Sequence, residues 1–168
     1  MRVGFGYDVH AFAMDRPLFI GGVQIPFEKG LLGHSDADVL LHAICDALLG
    51  GAALGDIGLH FPDTDPHLRG ISSLVLLERT AEIVRRSGFR IHNIDATLVL
   101  QKPKLAPYIR QMVLRISKVT GLPETRISVK ATTTERLGFT GREEGVAAYA
   151  VVLLEENGDA KGGEARKE

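Results

Sequence analysis

Apolar and polar positions alternate from the start of the chain. Val3, Phe5 and Tyr7 fall on one side of an extended backbone, and Asp8 and His10 share the other with Gly4 and Gly6, because strand side chains alternate between faces. Two glycines on one side let another element approach the backbone closely. This pattern predicts a first strand running to about His10. Leu18-Phe19-Ile20 and Val23-Gln24-Ile25, split by Gly21-Gly22, predict a tight hairpin, and Gly30 to Ser35 reads as a loop carrying His34. From Ser35 to Leu49 a helix is predicted, with Ser35 as N-cap and Asp38 completing a capping box. It is apolar except at Asp38, His42 and Asp46, whose i, i+4, i+8 spacing stacks them in one polar stripe. Gly50-Gly51 closes or frays it.

Leu54 to Pro66, rich in Gly, Pro and Asp, predicts an ordered loop. A second helix is expected from about Ile71 to Ser87, stopped by Gly88, then a strand from Phe89 to Leu100 with Ile94, Ala96, Leu98 and Leu100 on one face. Pro107 starts a third helix with Ile109, Met112, Val113, Ile116 and Val119 on one face, ended by Gly121. Arg126 to Ala131 reads as a strand. Gly145 to Glu156 is a long, almost wholly apolar strand, expected to be central or buried on both faces. Residues 157–168, rich in Gly and charge, read as a disordered tail. Residues 1–156 therefore read as one domain, a layer of helices on a mixed sheet, in an α+β or α/β two-layer sandwich. So few strands leave one sheet face for a homo-oligomer to cover.

Composition narrows the function classes. The 168 residues are 45% apolar, and 20 basic against 21 acidic residues give a net charge of −1. That balance offers no electrostatic case for a nucleic-acid or membrane partner. Cys45 is the only cysteine, which excludes a disulfide framework and reads as a small core residue. No apolar run approaches the roughly 20 residues needed to span a bilayer, and the start of the chain lacks a secretory pattern, so a cytoplasmic protein is expected.

The candidate chemistry starts at Asp8, His10 and His42. Alone, His42 reads as a hydrogen-bonded core histidine and Asp8 as a turn cap. Together, two imidazoles and a carboxylate form a borderline-soft donor set suited to zinc, and three protein ligands leave a fourth tetrahedral position open, as catalytic sites do. Lys102 and Lys104 follow a strand end, a common place for ligand contacts. Thr132-Thr133-Thr134-Glu135 follows another, where hydroxyls near Lys130 could hold phosphate oxygens or cap a turn. A metal site, hydroxyls, lysines and an acid suit phosphoryl chemistry, which relies on placing groups and neutralising charge.

Gly6-Tyr7-Asp8-Val9-His10, His34-Ser35-Asp36-Ala37-Asp38, His42, Asp46 to Gly50, Leu54 to Gly58, Phe61 to Asp65, Lys130 to Glu135 and Gly138 to Arg142 occur in order over about residues 1 to 156. In these the chain resembles the 2-C-methyl-D-erythritol 2,4-cyclodiphosphate synthase family of the non-mevalonate isoprenoid pathway. The resemblance implies α+β subunits with helices on one face of a mixed sheet, the sheets packed around the threefold axis of a homotrimer, and active sites between subunits. It implies cyclisation of 4-diphosphocytidyl-2-C-methyl-D-erythritol 2-phosphate with release of CMP, a phosphorus-oxygen lyase reaction.

Carried over, Asp8, His10 and His42 are zinc ligands and Glu135 helps hold a magnesium or manganese ion. His34 and Thr133 stabilise the transition state. Ser35, Asp56, Gly58 and the loop of Phe61, Pro62, Asp63, Thr64 and Asp65 match the sugar-phosphate side of the pocket, and Asp8, Val9, His10, His34 and Ile57 also match substrate-binding positions. Leu100, Gln101, Lys102, Pro103, Lys104, Leu105 and Ala106, with Thr132, Thr133, Thr134 and Glu135, match the nucleotide side, supplied largely by a neighbouring subunit. Phe139 and Arg142 match positions at the substrate site or near the threefold channel. Two other functions suit the same residues: a metal-dependent phosphodiesterase, and a non-catalytic zinc module that holds a nucleotide.

Overall fold

Alternation and glycine together build the strand that organises the molecule. In the computed structural model, which describes residues 1–157, β1 spans Arg2–Met14 and so continues past His10. The extra length gives a partner to β4 (Lys29–Leu31), which pairs antiparallel with it where a loop was expected, Phe12 opposite Leu31. Between them lies the expected hairpin, β2 (Leu18–Ile20) and β3 (Val23–Ile25). Its turn residues Gly21 and Gly22 have φ of 62° and 72°, the left-handed pair that a two-residue hairpin turn needs.

The main sheet has the order β4-β1-β7-β5-β6. β7 (Gly145–Glu156) runs antiparallel to both β1 and β5 (Phe89–Val99), and β6 (Ile127–Thr132) runs parallel to β5. β7 is central, as its apolar run suggested. It is not buried on both faces, because Tyr149 and Val151 are 40% and 44% exposed.

Three helices cover the opposite face. α1 (Val39–Gly51) packs on β1 and β7, α4 (Ile109–Thr120) on β6, and α3 (Ser73–Arg86) against both helices. This gives a mixed α+β arrangement. α1 can lie so close because β1 offers glycine there: a methyl at Gly4 would sit 1.9 Å from the Ala47 carbonyl oxygen, and one at Gly6 2.0 Å from that of Ala43. Leu40, Leu41, Ile44 and Leu48 of α1 are fully buried with Leu77 of α3 and Ile94 and Leu98 of β5.

The start of α1 departs from expectation. Ala37 has φ of 57°, which a helix cannot accommodate, so Ser35 closes a turn by accepting from the Ala37 N–H at 3.1 Å. Asp38 is the N-cap, accepting from the Leu41 N–H. The tail expected at 157–168 lies outside the described residues except for Asn157, whose N–H donates to the Gly88 carbonyl at 2.8 Å. No described helix is long and apolar enough to cross a membrane.

Candidate active site

The polar stripe of α1 divides among three tasks. Asp38 is wholly buried and faces the hairpin, accepting from the N–H groups of Gly21 and Gly22 at 2.9 and 2.7 Å. Asp46 accepts from the Ile57 N–H at 2.8 Å and anchors α2 (Ile57–His60), a short helix capped by Asp56. Only His42 meets β1.

There it joins the two residues read from the strand. Asp8 Oδ2 lies 2.9 Å from His10 Nε2 and 3.1 Å from His42 Nδ1, and those two nitrogens are 3.2 Å apart. Alternation on β1 sets Asp8 and His10 on the helix-facing side, and the close approach of α1 brings His42 to them. His10 Nδ1 lies 2.6 Å from the Leu32 carbonyl oxygen. A carbonyl only accepts, so Nδ1 carries the proton and Nε2 presents a lone pair. His42 Nε2 faces two hydroxyls, of Ser73 at 3.0 Å and Ser35 at 3.1 Å.

The donor atoms of Asp8, His10 and His42 thus converge within 4.8 Å of one another. Lone pairs so close repel unless a proton or a cation sits among them. Two imidazoles with one carboxylate, all partly accessible, fit a divalent metal with an open position. Burial alone would raise the Asp8 carboxyl, but its hydrogen bonds and attraction to the two imidazoles hold it well below the usual carboxylate range. Burial also opposes charge on His10, yet the Asp8 carboxylate wins and raises it. Cys45 takes no part: buried in α1, its thiol is pushed up to about 12.

A cavity of about 190 Å³ opens beside these three residues, lined among others by His34, Ser35, Ile57, Phe61, Pro62, Asp63 and Asp65. Leu68, Arg69, Ile71 and Leu76 complete it; sequence reasoning missed these, since they sit in a helix start and a loop whose pattern signals only packing and turns. A second cavity of about 270 Å³ is lined by Leu100, Gln101, Pro103, Lys104, Leu105 and Ala106 with Lys130, Thr132 and Thr133. His34 and Thr133, expected to act together, therefore line different cavities of one chain.

Other predicted residues sit differently from expectation. The Val9 side chain is 43% exposed on the uncovered sheet face, and its N–H is spent on Asp8 Oδ1 at 2.9 Å. Thr134 is spent inside a turn, donating to the Leu137 carbonyl. Glu135 accepts from the Thr133 hydroxyl at 2.8 Å and lies outside the Asp8-His10-His42 cluster. Lys102 pairs with Glu143 at 3.1 Å. Phe139 stands on the short helix α5 (Gly138–Gly141), and Arg142 just after it pairs with Glu144 at 2.8 Å.

Comparison with known proteins agrees with this geometry. Residues 1–155 match the model of the YgbB family. This chain belongs to the YgbB family. It is 73% identical to the 2-C-methyl-D-erythritol 2,4-cyclodiphosphate synthase of Syntrophobacter fumaroxidans, over 94% of this chain and 99% of that one. A solved 2C-methyl-D-erythritol-2,4-cyclodiphosphate synthase in its CDP-bound form superposes with a TM-score of 0.84 at 42% identity, covering 92% of this chain and 100% of that one. The bifunctional IspDF of Campylobacter jejuni gives a TM-score of 0.89 at 47% identity, over 92% of this chain and 42% of that longer one. Within the YgbB family, then, the Asp8-His10-His42 cluster lies in a fold shared with a CDP-bound relative.

Proposed function

We propose that this chain carries out the reaction for which its relatives are named. It converts 4-diphosphocytidyl-2-C-methyl-D-erythritol 2-phosphate to 2-C-methyl-D-erythritol 2,4-cyclodiphosphate and releases CMP in the cytoplasm. The single observation that carries the reading is the convergence of Asp8, His10 and His42 beside a cavity that His34, Ser35, Asp63 and Asp65 also line.

Asp8, His10 and His42 hold zinc, and Glu135 helps hold magnesium or manganese; bound there, these ions supply positive charge against the diphosphate. The substrate's own 2-phosphate attacks the β-phosphorus. One P–O bond forms, the bond to CMP breaks, and CMP leaves with the electron pair. Residues of the chain position rather than react: Ser35 and His34 bind phosphate oxygens, the carboxylates of Asp56 and Asp63 accept from sugar hydroxyls, and Lys104 with Thr133 steadies the nucleotide side. No general base is required, since a phosphate monoester is already largely ionised near pH 7.

Separate cavities for the sugar-phosphate and nucleotide sides support a site completed by a second copy. The uncovered sheet face supports the same reading. Val3 and Phe5 are 69% and 62% exposed there beside Tyr7, whose ring lies 5.0 Å from that of Tyr149. Such a patch needs a partner, and we assign it to sheets packed around a threefold axis in a homotrimer.

Phosphorus NMR of the product tests the reading. A cyclic diphosphate is expected; an open-chain monophosphate would indicate a phosphodiesterase, and unchanged substrate a binding module.

A further inference from the structure

We propose that Ser73 and Asp36 are positioning residues that hold the His42 imidazole in the tautomer presenting Nδ1 to a cation. The proposal rests on the reading of Asp8, His10 and His42 as a metal site. Ser73 is the first residue of α3 and is completely buried. Its hydroxyl has one proton to give. Asp36 Oδ1 lies in close hydrogen-bond contact with that hydroxyl, and a carboxylate can only accept. The Ser73 proton therefore points at Asp36, and only lone pairs remain on its oxygen.

That oxygen lies 3.0 Å from His42 Nε2. The bond between them needs a proton, and the imidazole must supply it. A neutral ring protonated at Nε2 keeps its lone pair on Nδ1, the atom 3.1 Å from Asp8 Oδ2 and 3.2 Å from His10 Nε2. A carboxylate in the turn before α1 thus orders the protons through a serine and sets what the metal meets. Outer partners of this kind fix the orientation of a ligating histidine and raise its basicity.

Asp36 is itself held firmly. Its Oδ2 accepts from the Ser73 N–H at 3.0 Å, and its own N–H donates to the Ile71 carbonyl at 3.1 Å. Ser35 also reaches His42 Nε2, at 3.1 Å, but it lines the substrate cavity and has no carboxylate behind it. The two histidines are therefore supported differently. His10 leans on a backbone carbonyl that no substitution removes, whereas the support of His42 is made of side chains.

The test is zinc affinity of the full chain, measured by competition with a chromophoric chelator. S73A is expected to weaken zinc binding about 10- to 100-fold and D36N about tenfold, while S73T, which restores the hydroxyl, recovers most of the loss. The visible spectrum of the cobalt-loaded protein should shift in S73A and return in S73T, a change that mere loss of packing would not produce. Unchanged zinc affinity and cobalt spectrum in S73A would overturn the proposal. Nitrogen-15 NMR of the unsubstituted chain decides it even if S73A does not fold: the proton must be on His42 Nε2, and finding it on Nδ1 refutes the relay. If the unsubstituted chain takes up no zinc, the metal reading fails, and the ring-proton measurement on the metal-free chain still judges the relay separately.

Discussion

The two cavities are built from opposite materials. The one beside Asp8, His10 and His42 is framed by a strand, a helix and the carboxylates and hydroxyls behind them, so its polar atoms already aim at one point. The one at Leu100 to Ala106 and Thr133 is framed by the loop after β5, the start of α4 at Ile109 and the last residues of β6. Two of its lining groups are engaged with residues outside it: Thr133 donates to Glu135, and Gln101 accepts from the Arg136 N–H. The first converges three donors whose chemistry fits a divalent ion. In the second, polar lining groups are already paired within the chain.

Breaking the first cavity should produce the largest effect. His42→Ala is expected to abolish zinc retention, read by elemental analysis, and to lower turnover by about 10³-fold or more. Glu135→Ala acts beside the second cavity instead, where Glu135 accepts from Thr133: zinc stays, and turnover falls by about 10²-fold. Mixing the two variants after dissociation and reassembly sharpens the contrast. Sites pairing an intact first cavity with an intact second one from a neighbour should recover about a quarter of the parent activity; no recovery would mean that each site is built within one chain.

A smaller effect concerns pH in the metal-free protein. Asp8 is held below its ordinary value of 3.8, so its stabilisation is present above that pH and is lost as pH falls through the folded value. His10 is raised above 6.5, so its stabilisation is present below that pH and is lost as pH rises through the folded value. The urea midpoint of the metal-free chain should therefore be favoured between 3.8 and 6.5, and Asp8→Asn should flatten the profile. The smallest effect is reserved for a supporting contact. Asp46→Ala removes the acceptor of the Ile57 N–H. It should cost about 1 kcal/mol in thermal unfolding and raise KM while leaving zinc affinity intact.

The same contrast explains what could be read from residues alone. Period-two and i, i+4 spacings carry the β1–α1 cluster, so Asp8, His10 and His42 were legible before any coordinates. The partners of Asp38 and Asp46 were not, because a stripe on a helix does not say which neighbour each position meets. Ser73 was equally hidden, being one of two adjacent serines at a helix start. Around Thr134, Glu135 and Arg136 the backbone takes positive φ, 52° at Glu135 and 68° at Arg136, so alternation stops predicting direction. The loop that became β4 carries too short a pattern to declare itself, and the uncovered face of β7 looked buried because apolarity does not say which face a helix layer covers.

The glycines at positions 4 and 6 reach further than packing. They make the separation of β1 and α1 a distance from main chain to main chain, with no side chain between. Asp8 and His10 ride on one of these elements and His42 on the other. The spacing of the two elements that carry the three donors is therefore set by two missing methyl groups.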